Sequence, residues 1–285
     1  MRWRGGRQSG NIEDRRGMGP VGAVGGLGLG GVVVVLIGVF VFGVDPAEMM
    51  NVVEQGAPAS QSQQAGQRGE TADDEGRFVG AVETSTTDVW SQIFQQSGKR
   101  YEPAAGVVLY DGATPTACGQ GQAAMGPFYC PGDRKVYLDL AFWHELETRF
   151  GARGDFARAY VIAHEIGHHV QNLTGELNGP RGMSAKGASG AQVRVELQAD
   201  CYAGVWAART RTASGGEVAL EDGDIEEGLG AASAVGDDTI QRRTQGRVVP
   251  DAFTHGTAEQ RMRWFKRGYE TGDPGRCDTA GARSL

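Results

Sequence analysis

A long run without charge limits how this chain can fold. Residues 17–44 contain no Asp, Glu, Lys or Arg, and residues 21–44 are almost wholly apolar or glycine. As a helix, these 24 residues would extend about 36 Å, more than the roughly 30 Å of a bilayer's hydrocarbon core. Buried core helices rarely carry so long an apolar run, and a signal peptide would have a shorter one with a cleavage site. The run therefore predicts one transmembrane helix over 21–44.

The charges around this run predict its orientation. Five arginines precede it, whereas no Lys or Arg follows it before Arg68. Because positive flanks stay in the cytoplasm, we expect residues 1–20 to be a basic cytoplasmic N-terminus and the rest to be extracytoplasmic. Residues 45–76 are rich in Gln, Ser, Ala and Gly, which indicates a disordered linker. The predicted protein is a single-pass protein of the cell membrane whose folded domain spans 77–285.

Three glycines of the run, Gly22, Gly26 and Gly30, recur at a spacing of four residues. Small residues at this spacing let two membrane helices approach closely, so a homodimer through this face is one interpretation. A glycine-rich helix without a partner is the other, and both stay open. The formal net charge of −7 provides no strong basic field, so we expect no nucleic-acid partner.

The segment 161–171, VIAHEIGHHVQ, contains an H-E-x-x-H motif. On a helix, His164 and His168 stand one turn apart on the same face, so both imidazoles can bind one Zn²⁺ ion. Glu165 lies beside them, where it can take a proton from a zinc-bound water. Asp155 as N-cap and Gly175 after the last turn delimit this predicted helix.

A catalytic zinc ion needs a third protein ligand. Position 174 is Thr, so the third histidine of the metzincin spacing is absent. A second predicted helix, over about 190–211, carries Glu196 and Asp200 one turn apart. We expect Glu196 to bind zinc and Asp200 to hydrogen-bond a ligand histidine. The alternative is a solvated acidic face, which the apolar neighbours on this helix disfavour.

These motifs carry a family resemblance. HEIGHHVQ followed by ELQADCYAG resembles the gluzincin metallopeptidases, in particular their M48-like group. Apart from the linker, nearly the whole chain is similar to the bacterial neutral zinc metallopeptidase family of the YpfJ type, notably in MRWRGGRQSGNIEDRRG, YCPGDRKVYLDLAFW and FTHGTAEQRMRWFKRGYE. The resemblance implies an α+β, zincin-like metallopeptidase domain built around the H-E-x-x-H helix and preceded by one transmembrane helix.

The segment 255–261, HGTAEQR, resembles the T-H-P-x-x-x-x-R segment of the M48-like group, with Gly256 in place of proline. His255 has two interpretations: it donates a hydrogen bond to the oxyanion of the reaction, or it is a histidine at the start of a helix. Arg261 either anchors His255 or an active-site carboxylate, or lies on the surface. We carry His255 forward as a catalytic residue beside Glu165.

Two strands are predicted before the H-E-x-x-H helix, over residues 107–110 and 135–138. By analogy with zincins, residues 136–138 would form an edge strand to which substrate adds. The four cysteines can form two disulfides in an oxidising compartment. Cys118 with Cys130, and Cys201 with Cys277 by elimination, is one pairing, and the sequence does not establish it.

The expected function is that of a membrane-anchored zinc metallopeptidase acting on a peptide or protein substrate. The alternative is a zinc-binding membrane scaffold without hydrolytic activity. A structural zinc site would favour four protein ligands, including Cys, and has no use for a base such as Glu165.

Overall fold

The computed structural model describes residues 1–18, 66–177 and 186–285. Five strands form its larger sheet, in the spatial order β2 (Gln67–Arg68), β1 (Ile12–Asp14), β3 (Gly106–Tyr110), β7 (Lys135–Asp139) and β6 (Phe128–Cys130). The three inner strands are parallel, whereas β2 and β6 are antiparallel to their neighbours. A hairpin of β4 (Ala113–Thr116) and β5 (Gly119–Gln122) forms a separate two-stranded sheet.

Helices pack together beside this sheet. Seven α-helices lie within the described ranges: α1 (Asp74–Gln96), α2 (Ala141–Thr148), α3 (Asp155–Thr174), α4 (Ala191–Ala213), α5 (Asp224–Ala234), α6 (Asp237–Gln245) and α7 (Ala258–Thr271). Helix α3 contacts α1, α4 and α5, and α4 packs along α7. The prediction of a mixed α+β architecture is confirmed.

The burial of strand β3 shows that both faces of the larger sheet are packed at this strand. All five of its residues, GVVLY, are buried, as expected of an inner parallel strand with both faces packed. The two predicted strands over 107–110 and 135–138 are therefore present as β3 and β7. However, β7 lies between β3 and β6, so the prediction that residues 136–138 form a sheet edge is wrong. The edge strand on this side is β6.

Helices α4 and α7 cross at very short range. A Cβ atom on Gly268 would lie 1.9 Å from the backbone oxygen of Cys201, so only glycine permits this approach. A disulfide between Cys201 and Cys277 ties α4 to the segment after α7. The other disulfide joins Cys118 to Cys130 at the end of β6. This is the pairing that the sequence left open as one possibility.

The prediction of a single-pass membrane anchor must be corrected. The predicted span, 21–44, and its three glycines lie outside the described residues, and no described helix is long and apolar enough to cross a membrane. Moreover, β1, which precedes residues 19–65 in the chain, pairs with β2 and β3, which both follow them. Strands that share one sheet lie on one side of a membrane. The predicted orientation, with residues 1–20 in the cytoplasm and the domain outside, is therefore wrong.

Paired charges explain why the N-terminal segment joins the fold. Glu13 is 2% exposed and Arg15 is 7% exposed, and the Nε atom of Arg15 donates to Glu13 at 2.8 Å. The Nζ atom of Lys135 on β7 donates to the other Glu13 oxygen at 2.7 Å. The basic flank is thus partly buried in ion pairs within the domain. The predicted linker also extends too far, since residues 67–68 form β2 and α1 begins at Asp74.

Candidate metal centre

Helix α3 carries the H-E-x-x-H motif near its middle. Its N-cap is Gly154, so Asp155 is its first residue and not the N-cap as predicted. Gly175 follows its last residue, Thr174, in the left-handed conformation (φ 83°) that glycine adopts without strain. His164 and Glu165 are 6% and 7% exposed. The His164 and His168 rings are 4.8 Å apart and nearly perpendicular, at 88°. The one-turn spacing thus brings the two imidazoles together.

Gly167, within the motif, sets the distance between α3 and α4. A Cβ atom at this position would lie 3.1 Å from the backbone Cα and O atoms of Ala199 on α4. Such contacts are tighter than real Cβ atoms usually make, so glycine allows the two helices to approach. Because Ala199 lies between Glu196 and Asp200, this approach brings both carboxylates to the histidines.

His164, His168 and Glu196 form one three-residue group. The Oε2 atom of Glu196 lies 3.2 Å from Nε2 of His164 and 3.5 Å from Nε2 of His168. The three ligand atoms all lie within 4.8 Å of one another, and no other described group of three or more His, Cys, Asp or Glu has this property. Ligands about 2.0–2.1 Å from a tetrahedral ion lie about 3.3–3.4 Å apart. The two separations from Glu196 match this spacing, and two imidazoles with one carboxylate are a donor set that could hold zinc and leave one position open.

The predicted partner of a ligand histidine, Asp200, is fully buried. Its Oδ1 atom accepts from Nδ1 of His164 at 2.8 Å and from the Tyr160 hydroxyl at 2.5 Å. With Nδ1 donating to Asp200, Nε2 is the ring atom of His164 that faces Glu196. Asp200 therefore fixes the orientation of the His164 ring, in the way that outer partners orient metal-binding histidines.

Arg261 is buried and forms an ion pair with Asp200. Of the alternatives that the sequence left open, it therefore anchors a carboxylate and does not lie on the surface. Its Nε and Nη2 atoms donate to the two Asp200 oxygens at 2.9 Å each, and Nη2 also donates to Tyr160 at 3.1 Å. Tyr160 was not singled out as a site residue from the sequence. Its position one turn before His164 was the signal that its hydroxyl could reach the site.

Sequence reasoning also missed Gln171. Its Oε1 atom lies 2.8 Å from Nδ1 of His168, so each of the two histidines has an acceptor behind it. The signal was the i, i+3 spacing from His168, which places both side chains on one helix face. His169, by contrast, is directed away, toward the Tyr129 hydroxyl and the Glu102 carbonyl. It is a buried structural histidine.

The electrostatics of the group favour cation binding. Burial alone would raise the pKa of Glu196, but the charges of His168 and His255 hold it well below its ordinary range. Burial opposes the charge on His164, yet Asp200 and Glu196 raise its pKa from 6.5 to about 10. A metal ion that binds here must therefore displace a proton.

Glu165 is not among the three clustered ligand residues, although it adjoins them in sequence. Burial raises its pKa, and the charges of His168 and His164 oppose that rise. A carboxyl whose pKa moves toward neutrality is suited to accept and return protons.

His255 lies in the loop before α7, where Asp237 fixes the backbone. The Oδ2 atom of Asp237 accepts from the backbone N–H groups of Thr254, His255 and Gly256 at 2.7, 2.7 and 3.0 Å. Burial would lower the pKa of His255, but the charge of Glu196 and the hydrogen bond of Asp237 raise it. The ring is thus electrostatically coupled to the metal group while its side chain stays 49% exposed.

Comparison with known proteins agrees with this donor set. The chain matches, over residues 1–280, the model of a family described as "putative neutral zinc metallopeptidase". It is 44% identical to the uncharacterised protein YpfJ of Escherichia coli K12, and the alignment covers 99% of each chain. It is 52% identical to the uncharacterised proteins Mb2605 of Mycobacterium bovis and Rv2575 of Mycobacterium tuberculosis, over 62% of each chain.

The family match places the chain in the class of zinc metallopeptidases. The group of His164, His168 and Glu196 is consistent with this class. The chain belongs to the neutral zinc metallopeptidase family that includes YpfJ. No solved structure matches it.

Proposed function

We propose that this protein is a zinc-dependent peptidase that hydrolyses peptide bonds. The observation that carries the proposal is a group of three ligands, His164, His168 and Glu196, with the buried carboxyl of Glu165 beside it. Three ligands leave zinc a position for chemistry, whereas structural zinc sites are closed by four. The family supports the same conclusion.

A zinc ion held by these ligands would supply Lewis acidity, lowering the pKa of water to about 7 and polarising a carbonyl. Glu165 acts as general base and takes a proton from the attacking water. The same carboxyl then acts as general acid and gives the proton to the leaving amine. His255, whose raised pKa favours the protonated ring, donates a hydrogen bond to the developing oxyanion.

The proposed substrate is an extended peptide segment, bound along β6. This strand is a sheet edge that contacts α3, and among the described strands its one partner in the sheet is β7. Its outward backbone groups can pair with an added strand, which fixes a substrate by its main chain. Such binding would present successive peptide bonds to the metal group with little dependence on side chains.

The test compares two variants that differ in their expected effects. Glu165→Gln removes the base and keeps the three ligands, so zinc should stay at one equivalent while turnover of an unfolded protein falls by about 10²–10⁴. Glu196→Gln replaces an anionic ligand by a neutral amide, so both zinc content and turnover should fall. The measurements are elemental analysis and cleavage of a denatured substrate.

Two outcomes would contradict the proposal. Stoichiometric zinc that survives loss of both His164 and His168 would place the metal elsewhere. Zinc binding without cleavage of any peptide, in wild type and Glu165→Gln alike, would instead indicate a zinc-binding scaffold.

A further inference from the structure

The two ligand histidines have unlike partners behind them. Nδ1 of His164 faces the anionic Asp200, whereas Nδ1 of His168 faces the neutral amide of Gln171, with 2.8 Å in both cases. A neutral amide can present either its oxygen or its NH₂ group to the ring. The second histidine therefore has a defined tautomer only if something fixes the orientation of Gln171.

Two acceptors on α4 fix that orientation. The Nε2 atom of Gln171 donates to the backbone oxygen of Val195 at 2.7 Å and to Oε1 of Gln198 at 2.8 Å. A backbone oxygen can only accept, so the Gln171 NH₂ group must face α4. Its Oε1 atom must then face His168, whose Nδ1 atom carries the proton and whose Nε2 lone pair is left for the metal.

The side-chain amide of Gln198 is likewise oriented by a backbone oxygen, which can only accept a hydrogen bond. Its Nε2 atom donates to the backbone oxygen of Cys277 at 3.2 Å, so its Oε1 atom is the acceptor for Gln171. Cys277 is held by its disulfide to Cys201, which lies on α4 one turn after Gln198. Gln171 and Gln198 are 0% and 8% exposed, so water does not compete for these bonds.

We propose that Gln171 and Gln198 form an amide relay that positions His168 for metal binding, and that the Cys201–Cys277 disulfide anchors this relay. The inference rests on the proposed zinc site. The donors of the relay all point away from His168, toward the backbone oxygens of Val195 and Cys277. These two fixed oxygens together set the tautomer of His168. Gln171 and Gln198 are positioning residues and do not touch the metal.

The first test measures zinc affinity by competition with a chromophoric chelator. Gln171→Leu removes the acceptor behind His168 and should weaken zinc binding by about 10–100-fold, as loss of other outer partners does. Gln171→Glu keeps an acceptor for His168 and should weaken binding less than Gln171→Leu. The control is Gln92→Leu, an exposed glutamine on α1, which should leave the affinity unchanged.

The second test reads the tautomer itself. Long-range ¹H–¹⁵N NMR of the zinc-loaded wild type should show the His168 proton on Nδ1 and the metal on Nε2. Gln198→Met removes one of the two acceptors of the Gln171 NH₂ group and leaves the Val195 oxygen alone, so the Gln171 amide is held less firmly. The Nδ1 proton of His168 should then exchange faster with solvent while that of His164 is unaffected. A merely structural role would alter both rings or neither.

The third test removes each disulfide in turn. Cys201→Ala with Cys277→Ala should weaken zinc binding by about tenfold, the lower end of the range for outer partners. Cys118→Ala with Cys130→Ala removes the other disulfide and should leave zinc affinity unchanged. A wild type that binds no zinc would refute the proposed function. A wild type that binds zinc, with unchanged affinity and tautomer in Gln171→Leu and Gln198→Met, would overturn the relay alone.

Discussion

Asp200 and Arg261 form a buried two-bond ion pair, with Nε and Nη2 of the arginine each 2.9 Å from a carboxylate oxygen. Both side chains are nearly inaccessible, at 0% and 5%. Since Asp200 also accepts from His164, the arginine neutralises the carboxylate that orients one of the three candidate metal ligands. The pair joins α7, α4 and α3 at one point.

Arg261→Met should strongly destabilise the metal-free protein. It leaves the Asp200 charge buried with no guanidinium, which costs about 3–5 kcal/mol in comparable sites. Denaturant unfolding with a chelator present measures this loss without a contribution from metal. Lys266→Met on the same helix is the control, because its pair with Glu270 is 62% and 59% exposed and worth at most about 1 kcal/mol. Equal losses in the two variants would contradict the assignment.

His255→Ala should separate catalysis from metal binding. The residue is outside the three-ligand group, so zinc content should stay at one equivalent. Loss of an oxyanion donor typically lowers kcat by about 10²–10³-fold, and we expect a decrease in that range. His144→Ala, an exposed change on α2, should leave turnover intact. Full turnover in His255→Ala would show that the ring does not contact the oxyanion.

The spacing of residues along single helices allowed most of the candidate metal-binding residues to be predicted. The turn of a helix fixes His164 relative to His168, and Glu196 relative to Asp200, whatever surrounds them. The contacts of Tyr160 and Arg261 with Asp200 join residues 40 and 61 positions apart, so no local pattern reveals them. Only the packing of α3, α4 and α7 does.

The N-terminal segment was misjudged for another reason. A count of charges cannot distinguish an arginine in water from one buried against a carboxylate. Arg15 and Glu13 are two residues apart and pair with each other, so the basic flank is partly internal. Pairing of β1 with β3 joins positions about 95 residues apart, which a three-residue strand gives no pattern to predict.

Folding stability should depend on the charge of Glu13 in acid. Burial would raise its pKa, but hydrogen bonds from Lys135 and Arg15 lower it from 4.5 to about 2. A depressed pKa stabilises the fold above pH 4.5, here by about 3 kcal/mol, and that stabilisation is lost as pH falls toward 2. The measurement is the free energy of unfolding of wild type and Glu13→Gln between pH 6 and pH 2.5. Their difference should shrink with acidity.

The matched variant for this pH series is Glu217→Gln. Glu217 pairs with Arg7 at the surface, with side chains 38% and 55% exposed, and such pairs contribute little. The free energy of unfolding of Glu217→Gln should therefore depend on pH as that of the wild type does. A difference between wild type and Glu13→Gln that is constant with pH would show that the Glu13 carboxylate is not the titrating group.

Gly167→Ala should disturb the fold and the metal group together. The added Cβ would lie 3.1 Å from backbone atoms of Ala199, and backbone yields less readily than the end of a side chain. Overpacking of this kind costs about 1–3 kcal/mol, and it separates α3 from the helix that carries Glu196. We therefore expect lower stability and weaker zinc binding.

Gly230→Ala on α5 is the control, because a Cβ there meets nothing within 4 Å. A glycine replaced inside a helix without a clash should stabilise the protein by up to about 1 kcal/mol and leave zinc affinity unchanged. If Gly167→Ala behaved like Gly230→Ala in both measurements, close approach of the two helices would not be what sets the metal group.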